Sequence, residues 1–193
     1  MRIIKVSEIT KKVESMLLDA CENIPQNVLE RLMAAKNNEK SPLGQDVIDR
    51  IIKNDLLARE KHLPICQDTG VVVCFLEVGY DVHFDGDIYE AINEGVANAY
   101  VNGYLRKSVV KHPLDRVNTK NNTPAIVHVK LVPGDKVKID VAPKGGGSEN
   151  MSLVKMLIPA DGVEGVKKLV LDTVFNGGGK PCPPIIVGIG LGG

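Results

Sequence analysis

The stretch that most constrains the fold is VVVCFLEV at residues 71–78. It is short, apolar and rich in β-branched side chains, so it reads as a strand buried in a core. Directly before it stands PICQDTG, residues 64–70. A thiol, an amide, a carboxylate and a hydroxyl thus crowd the entrance to the most apolar strand of the chain. Any fold must bury the strand and still give these side chains a place.

Helical spacing dominates before this point. Ile9, Val13, Met16, Leu17, Ala20 and Cys21 share one face, with Ser7 as the expected N-cap. PQNVLERLMAAKNNEK repeats the pattern. Ser41-Pro42 supplies an N-cap and an N1 proline for a third helix, with Val47, Ile48, Ile51, Ile52 and Leu56 on one side. After the strand, DIYEAINEGVANAYVNGY is helical again. AIVHVKLV and KVKIDVA alternate around a Pro-Gly turn and predict an antiparallel hairpin. KGGGSEN reads as a loop. A helix follows, with Asp161 and Glu164 in capping-box spacing and Asn176-Gly177 at its end. PIIVGIG reads as a last strand. The expected class is α/β or α+β: a helical section over residues 1–62, packed on a mixed sheet within a region spanning residues 63–193, the two forming one continuous domain. A core strand running into glycines predicts that the subunit continues beyond residue 193.

Composition narrows the function. Lys+Arg and Asp+Glu both number 24, so no general basic field favours nucleic acid. Aromatic residues are 4% and Trp is absent, which argues against a base-stacking surface. No segment has the length and apolarity of a membrane span, and the first residues lack a signal-peptide pattern. The expected location is the cytoplasm. Four cysteines, at 21, 66, 74 and 182, are too scattered for a disulfide scaffold.

Cys21 and Cys74 fall on apolar faces and read as core. Cys66 and Cys182 stand in proline-bearing loops, PICQDTG and KPCPP. Such thiols serve as metal ligands or as packed loop residues, and a Cys-Pro step is a habit of iron–sulfur ligands. Gln67 and Asp68 read as a capped turn, or as an amide and a carboxylate held beside a metal for binding and acid–base work. Gly145, Gly146 and Gly147 form a loop whose amides converge on an anion or simply flex. Arg106, Lys107, Lys111 and His112 lie near the expected end of a helix, where an inward Arg would clamp a carboxylate. Gly188, Gly190 and Gly193 match G-x-G-x-x-G, which signals a dinucleotide only between a strand and a helix.

ICQDTG, KGGGSEN and GGKPCPPIIVGIGLGG, in this order and separation, resemble the α subunit, or N-terminal region, of the class I iron–sulfur fumarases and the closely similar L-tartrate dehydratases. The resemblance covers nearly the whole chain. It implies a [4Fe–4S] cluster held by three cysteines, with Cys66 and Cys182 at two of the ligand positions and the third outside this chain. It implies a hydro-lyase, hydrating fumarate to L-malate in the tricarboxylic acid cycle or dehydrating L-tartrate, with the open iron as Lewis acid. By the same resemblance Gln67, Asp68 and Arg106 bind substrate, Gln67 and Asp68 share in catalysis, and the glycines 145–147 approach the substrate. The remaining catalytic groups would come from a β subunit in a dimerised assembly, so these 193 residues alone are expected to be inactive. The competing expectations are a nucleotide-binding module and a non-catalytic interaction module, neither with nucleic acid or membrane as partner.

Overall fold

The structure, a computed structural model, describes residues 1–182 and 185–192. The chain divides into two compact units, Met1–Lys144 and Gly145–Gly193.

The first unit begins with strand β1 (Arg2–Ile4) and helix α1 (Val6–Glu22). Helices α2 (Gln26–Asn38) and α3 (Pro42–Lys61) follow, then strands β2 (Val71–Gly79) and β3 (Val82–Phe84). Helix α4 (Ile88–Asn102) precedes strands β4 (Ile126–Val132) and β5 (Val137–Lys144). β1 and β3 form a small parallel pair, and the main sheet has the order β4-β2-β5. β2 is parallel to β4 and antiparallel to β5, so the sheet is mixed, as the α/β reading expects.

The core lies on one face of this sheet. Val72, Cys74, Leu76 and Val78 alternate inward along β2, as a strand period of two requires. They meet Ile9, Val13, Leu17 and Cys21 of α1, and Ala91, Ile92, Val96, Ala99 and Tyr100 of α4. The two helices approach closely at Gly95. A Cβ there would stand 2.6 Å from the Thr10 carbonyl and 2.9 Å from the Val13 Cβ. The buried Thr10 hydroxyl donates to the Ala91 carbonyl at 3.0 Å and ties the same crossing. On the other sheet face Phe75 stacks on His128, with ring centroids 5.1 Å apart, beside the ion pairs Glu77–Lys130 and Lys138–Asp140.

α2 and α3 form a helical hairpin with its own small core of Leu29, Leu32 and Ile52. Asp49 receives both Lys36 and Lys53, whose hydrogen bonds lower its pKa to about 2. Of the residues expected on one face of α3, Ile52 is buried, but Val47 and Leu56 are exposed. Asp55 and Ala58 take their place on the inner face.

Several local expectations change. The two strands around Pro133-Gly134 are antiparallel but are not hydrogen-bonded neighbours, because β2 lies between them. Their turn crosses the end of β2, where Gly79 has no room for a Cβ: it would sit 2.2 Å from the Gly134 carbonyl oxygen. The most apolar strand takes the centre, where both of its edges are paired. Lys5, not Ser7, is the N-cap of α1, and it makes no side-chain cap bond. Ser41 does cap α3, accepting from the Gly44 amide at 3.4 Å. Arg106 stands beyond the end of α4, in an irregular segment.

In the second unit KGGGSEN contains a short helix, α5 (Gly146–Glu149). Helix α6 (Gly162–Gly177) ends at Gly178, one residue later than expected, with φ 51. Asp161 stands at the N-cap of α6, as expected, but its side chain makes no cap bond there; the carboxylate accepts from the Ile158 amide at 2.9 Å and closes a 3-10 turn (Pro159–Asp161). Residues 185–192 form no strand, although PIIVGIG reads as one. Among the described residues no helix is long and apolar enough to cross a membrane.

Two predictions follow from this packing. Gly95→Ala should lower stability by about 1–3 kcal/mol through overpacking, while Gly179→Ala, in open space, should stay within about 0.5 kcal/mol. Urea unfolding midpoints measure both, and an unchanged midpoint for Gly95→Ala would mean that the helices separate freely. Burial raises the Cys74 thiol to about 11, and burial with the Glu22 charge raises Cys21 to about 11, from 9.0. The folded state therefore holds these protons more tightly. Their contribution is intact below pH 9.0 and is lost as pH rises to about 11. Cys74→Val should flatten the loss of stability across that window; an equally steep decline would rule the thiol out as a contributor.

Candidate functional site

The turn before β2 is anchored from behind. The Ile65 amide donates to the Cys21 carbonyl at the end of α1, at 2.8 Å. The Asn54 side chain on α3 donates to the Ile65 carbonyl at 2.9 Å. The residue preceding Cys66 is thus held by two helices. Cys66 itself is exposed and its thiol is free of any disulfide. The Asp68 amide donates to Cys66 Sγ at 3.4 Å. Asp68 Oδ1 accepts from the Gly70 amide at 3.1 Å, closing an Asx turn that Gly70 completes with φ 63.

Behind these exposed groups the turn is gripped by buried polar side chains. Tyr100, fully buried on α4, donates to the Thr69 carbonyl at 2.6 Å. Burial first, then the charges of Cys21 and Asp68, hold its hydroxyl well above the usual tyrosine range, so it remains a donor. The buried Thr69 hydroxyl donates to the Arg106 carbonyl at 3.0 Å. Cys66, Gln67, Asp68 and the backbone of Arg106 therefore share one corner of the first unit. Gln67 and Arg106 are exposed.

The second unit brings together two other motifs. Gly147 packs against the loop that carries Cys182. A Cβ at 147 would stand 2.8 Å from the Lys180 carbonyl oxygen and 4.0 Å from Cys182 Sγ. The Ser148 hydroxyl donates to the Gly145 carbonyl at 3.0 Å, and the Asn150 amide donates to that of Gly146, also at 3.0 Å. Cys182 is exposed, has φ 59, and donates its amide to the Gly179 carbonyl at 3.3 Å. Gly147 and Cys182 are thus neighbours, and the sequence alone did not pair them.

Among the described residues no group of three or more His, Cys, Asp or Glu side chains could hold a metal ion. Cys66 belongs to the first unit and Cys182 to the second. Gly188 and Gly190 lie in the irregular run 185–192, and Gly193 lies outside the described residues, so no strand leads into the G-x-G-x-x-G pattern. Sequence reading missed Asn54, Tyr100 and Asn122, the buried or clamping polar groups behind the turn. Tyr100 sits at apolar helical spacing, and Asn122 sits in NTKNNTP, a stretch that reads as a polar loop.

The model of the family described as fumarate hydratase (Fumerase) matches residues 10–193. A protein of Methanocaldococcus jannaschii, provisionally named L(+)-tartrate dehydratase subunit alpha, is 41% identical over 98% of this chain and 67% of its own length. The L(+)-tartrate dehydratase subunit alpha of Escherichia coli K12 is 30% identical over 96% of this chain and 62% of its own. The chain thus spans about two thirds of the length of these relatives. Motifs, matched length and relatives agree, and the chain belongs to the fumarate hydratase (Fumerase) family.

Proposed function

We propose that the chain is part of the α subunit of an iron–sulfur hydro-lyase that adds water to, or removes it from, a four-carbon dicarboxylate. The observation that carries this reading is the turn at residues 66–70, where an exposed thiol, an amide and a carboxylate stand side by side on a backbone tied to Arg106. The description of the family names fumarate, and the names of the relatives give L(+)-tartrate. Both substrates belong in the assay. The "subunit alpha" in the relatives' names supports a partner subunit here too.

The chemistry of the two thiols supports a cluster as the cofactor. Cys66 and Cys182 are free and exposed, and Cys66 already accepts an N–H···S bond, the kind of contact that tunes cluster sulfurs. Cys66 and Cys182 would hold two irons of a [4Fe–4S] cluster, with the third cysteine outside residues 1–193. When bound, the cluster would supply a Lewis-acidic iron toward the substrate's oxygen. Arg106 would pair with a substrate carboxylate through its planar fork of donors. The Gln67 amide would donate to a carboxylate or hydroxyl oxygen. Asp68, oriented by the Gly70 amide, would accept a hydrogen bond from the substrate or move a proton beside it. Gly147 leaves the backbone bare of a side chain where it faces Cys182.

The test uses the complete subunit, purified anaerobically with its partner. Iron, sulfide and visible absorption should show a cluster that Cys66→Ser removes. Asp68→Asn should keep the iron but lower turnover of fumarate or L-tartrate by about 100-fold or more. A colourless, iron-free complex after reconstitution would overturn the reading. Full turnover by Asp68→Asn would remove Asp68 from the mechanism.

A further inference from the structure

Arg106 lies in a long excursion between α4 and β4 that has almost no regular structure. Its one ladder contact is the isolated bridge between Val110 and Asn118. Several of its bonds are internal, the Lys111 amide donating to the Val117 carbonyl at 2.8 Å and the Asn118 side chain to the Lys107 carbonyl at 3.0 Å, while the Ala125 amide ties its far end to Asn93 of α4 at 2.8 Å. Leu105 is buried and anchors the apolar side of the segment. Apolar contact alone does not fix where residue 106 sits along the turn at residues 66–70.

Asn122 does. It is fully buried, and every polar atom of its side chain reaches backbone. Oδ1 accepts from the Ser108 amide at 2.7 Å and the Val109 amide at 3.1 Å. Nδ2 donates to the Gly70 carbonyl at 3.0 Å. One carboxamide thus bridges the turn that bears Cys66, Gln67 and Asp68 to the residues just after Arg106. Thr69 supplies a second bridge between the same segments, through the Arg106 carbonyl. The residue type is demanding. Residue 122 has φ 62, a region that Asn enters more readily than most residues. An amide carries its two-lone-pair acceptor and its donor on separate atoms, so it reaches two backbone segments at once, which the single oxygen of a hydroxyl does not.

We propose that Asn122, with Thr69, is a positioning residue that sets the spacing between Arg106 and the Gln67–Asp68 side of the site. This rests on the hydro-lyase reading, in which those residues hold opposite parts of one dicarboxylate. Asn122 touches no substrate; it acts through the two backbone segments it joins. Its loss shifts the carboxylate clamp relative to the turn and weakens substrate binding more than the chemical step.

Two variants of the complete subunit, each assembled anaerobically with its partner, test this. Asn122→Asp keeps the acceptor toward Ser108 and Val109 but loses the donor to Gly70. Thr69→Val removes only the hydroxyl bond to Arg106. Each should keep the parent's iron content, and Asn122→Asp should melt at a lower temperature, because a buried carboxylate oxygen then meets the Gly70 carbonyl where the donor stood. Each should raise KM for the dicarboxylate by about tenfold, with kcat within about threefold. Parent-like KM in a folded, iron-loaded Asn122→Asp overturns the proposal. If that variant fails to fold, Thr69→Val decides by the same criterion. A loss of kcat that tracks loss of iron in both variants also overturns it, because the residues would then serve only the scaffold. A parent complex that turns over neither fumarate nor L-tartrate overturns the hydro-lyase reading and this inference together, whereas an active parent with unaffected variants overturns this inference alone.

Discussion

Both edges of β2 are paired, one by β4 and one by β5, and its inner face is closed by α1 and α4. A slip of one residue would turn Val72, Cys74, Leu76 and Val78 outward and Phe75 and Glu77 into the core, so the register is set by burial. The turn at residues 66–70 leads directly into Val71 and inherits that register. Its backbone is then pinned by Tyr100 from α4 and by Asn54 and Cys21 from the helices behind. Reactive side chains at the doorstep of a core strand stand on backbone that several elements hold in place.

The elements with one strong physical signature were readable in the sequence. β2 announced itself by a short run of apolar, largely β-branched residues, and α3 by Ser41-Pro42. What could not be read was competition between neighbours. The strands around Pro133-Gly134 have the pattern of a hairpin, and local pattern cannot reveal that a third strand takes the space between them. Short β1 and β3 carry too few residues to show a period, and they exist by pairing with each other. The 3-10 turn diverted the Asp161 carboxylate from the cap bond that its spacing advertised.

The site was legible in its exposed residues and not in its supports. Cys66, Gln67 and Asp68 stood out because reactive types cluster beside a strand, and Cys182 because prolines flank it. Residues that hold them in place look ordinary in sequence. Tyr100 passes for an apolar helix residue, and Asn122 for one more polar loop position. Their roles depend on backbone carbonyls and amides brought near by folding, and those groups are the same in every residue.

The α2–α3 hairpin has a separate small core, Leu29, Leu32 and Ile52, and is attached to the rest mainly through polar contacts of Asn54 and Arg59. Such a satellite unit opens at a lower free energy than the sheet and its two covering helices. When it opens, Asn54 leaves the Ile65 carbonyl while β2 stays folded. One of the two bonds that hold residue 65 is therefore tied to a helical hairpin that takes no part in the chemistry, while the bond from Cys21 of α1 outlasts its opening.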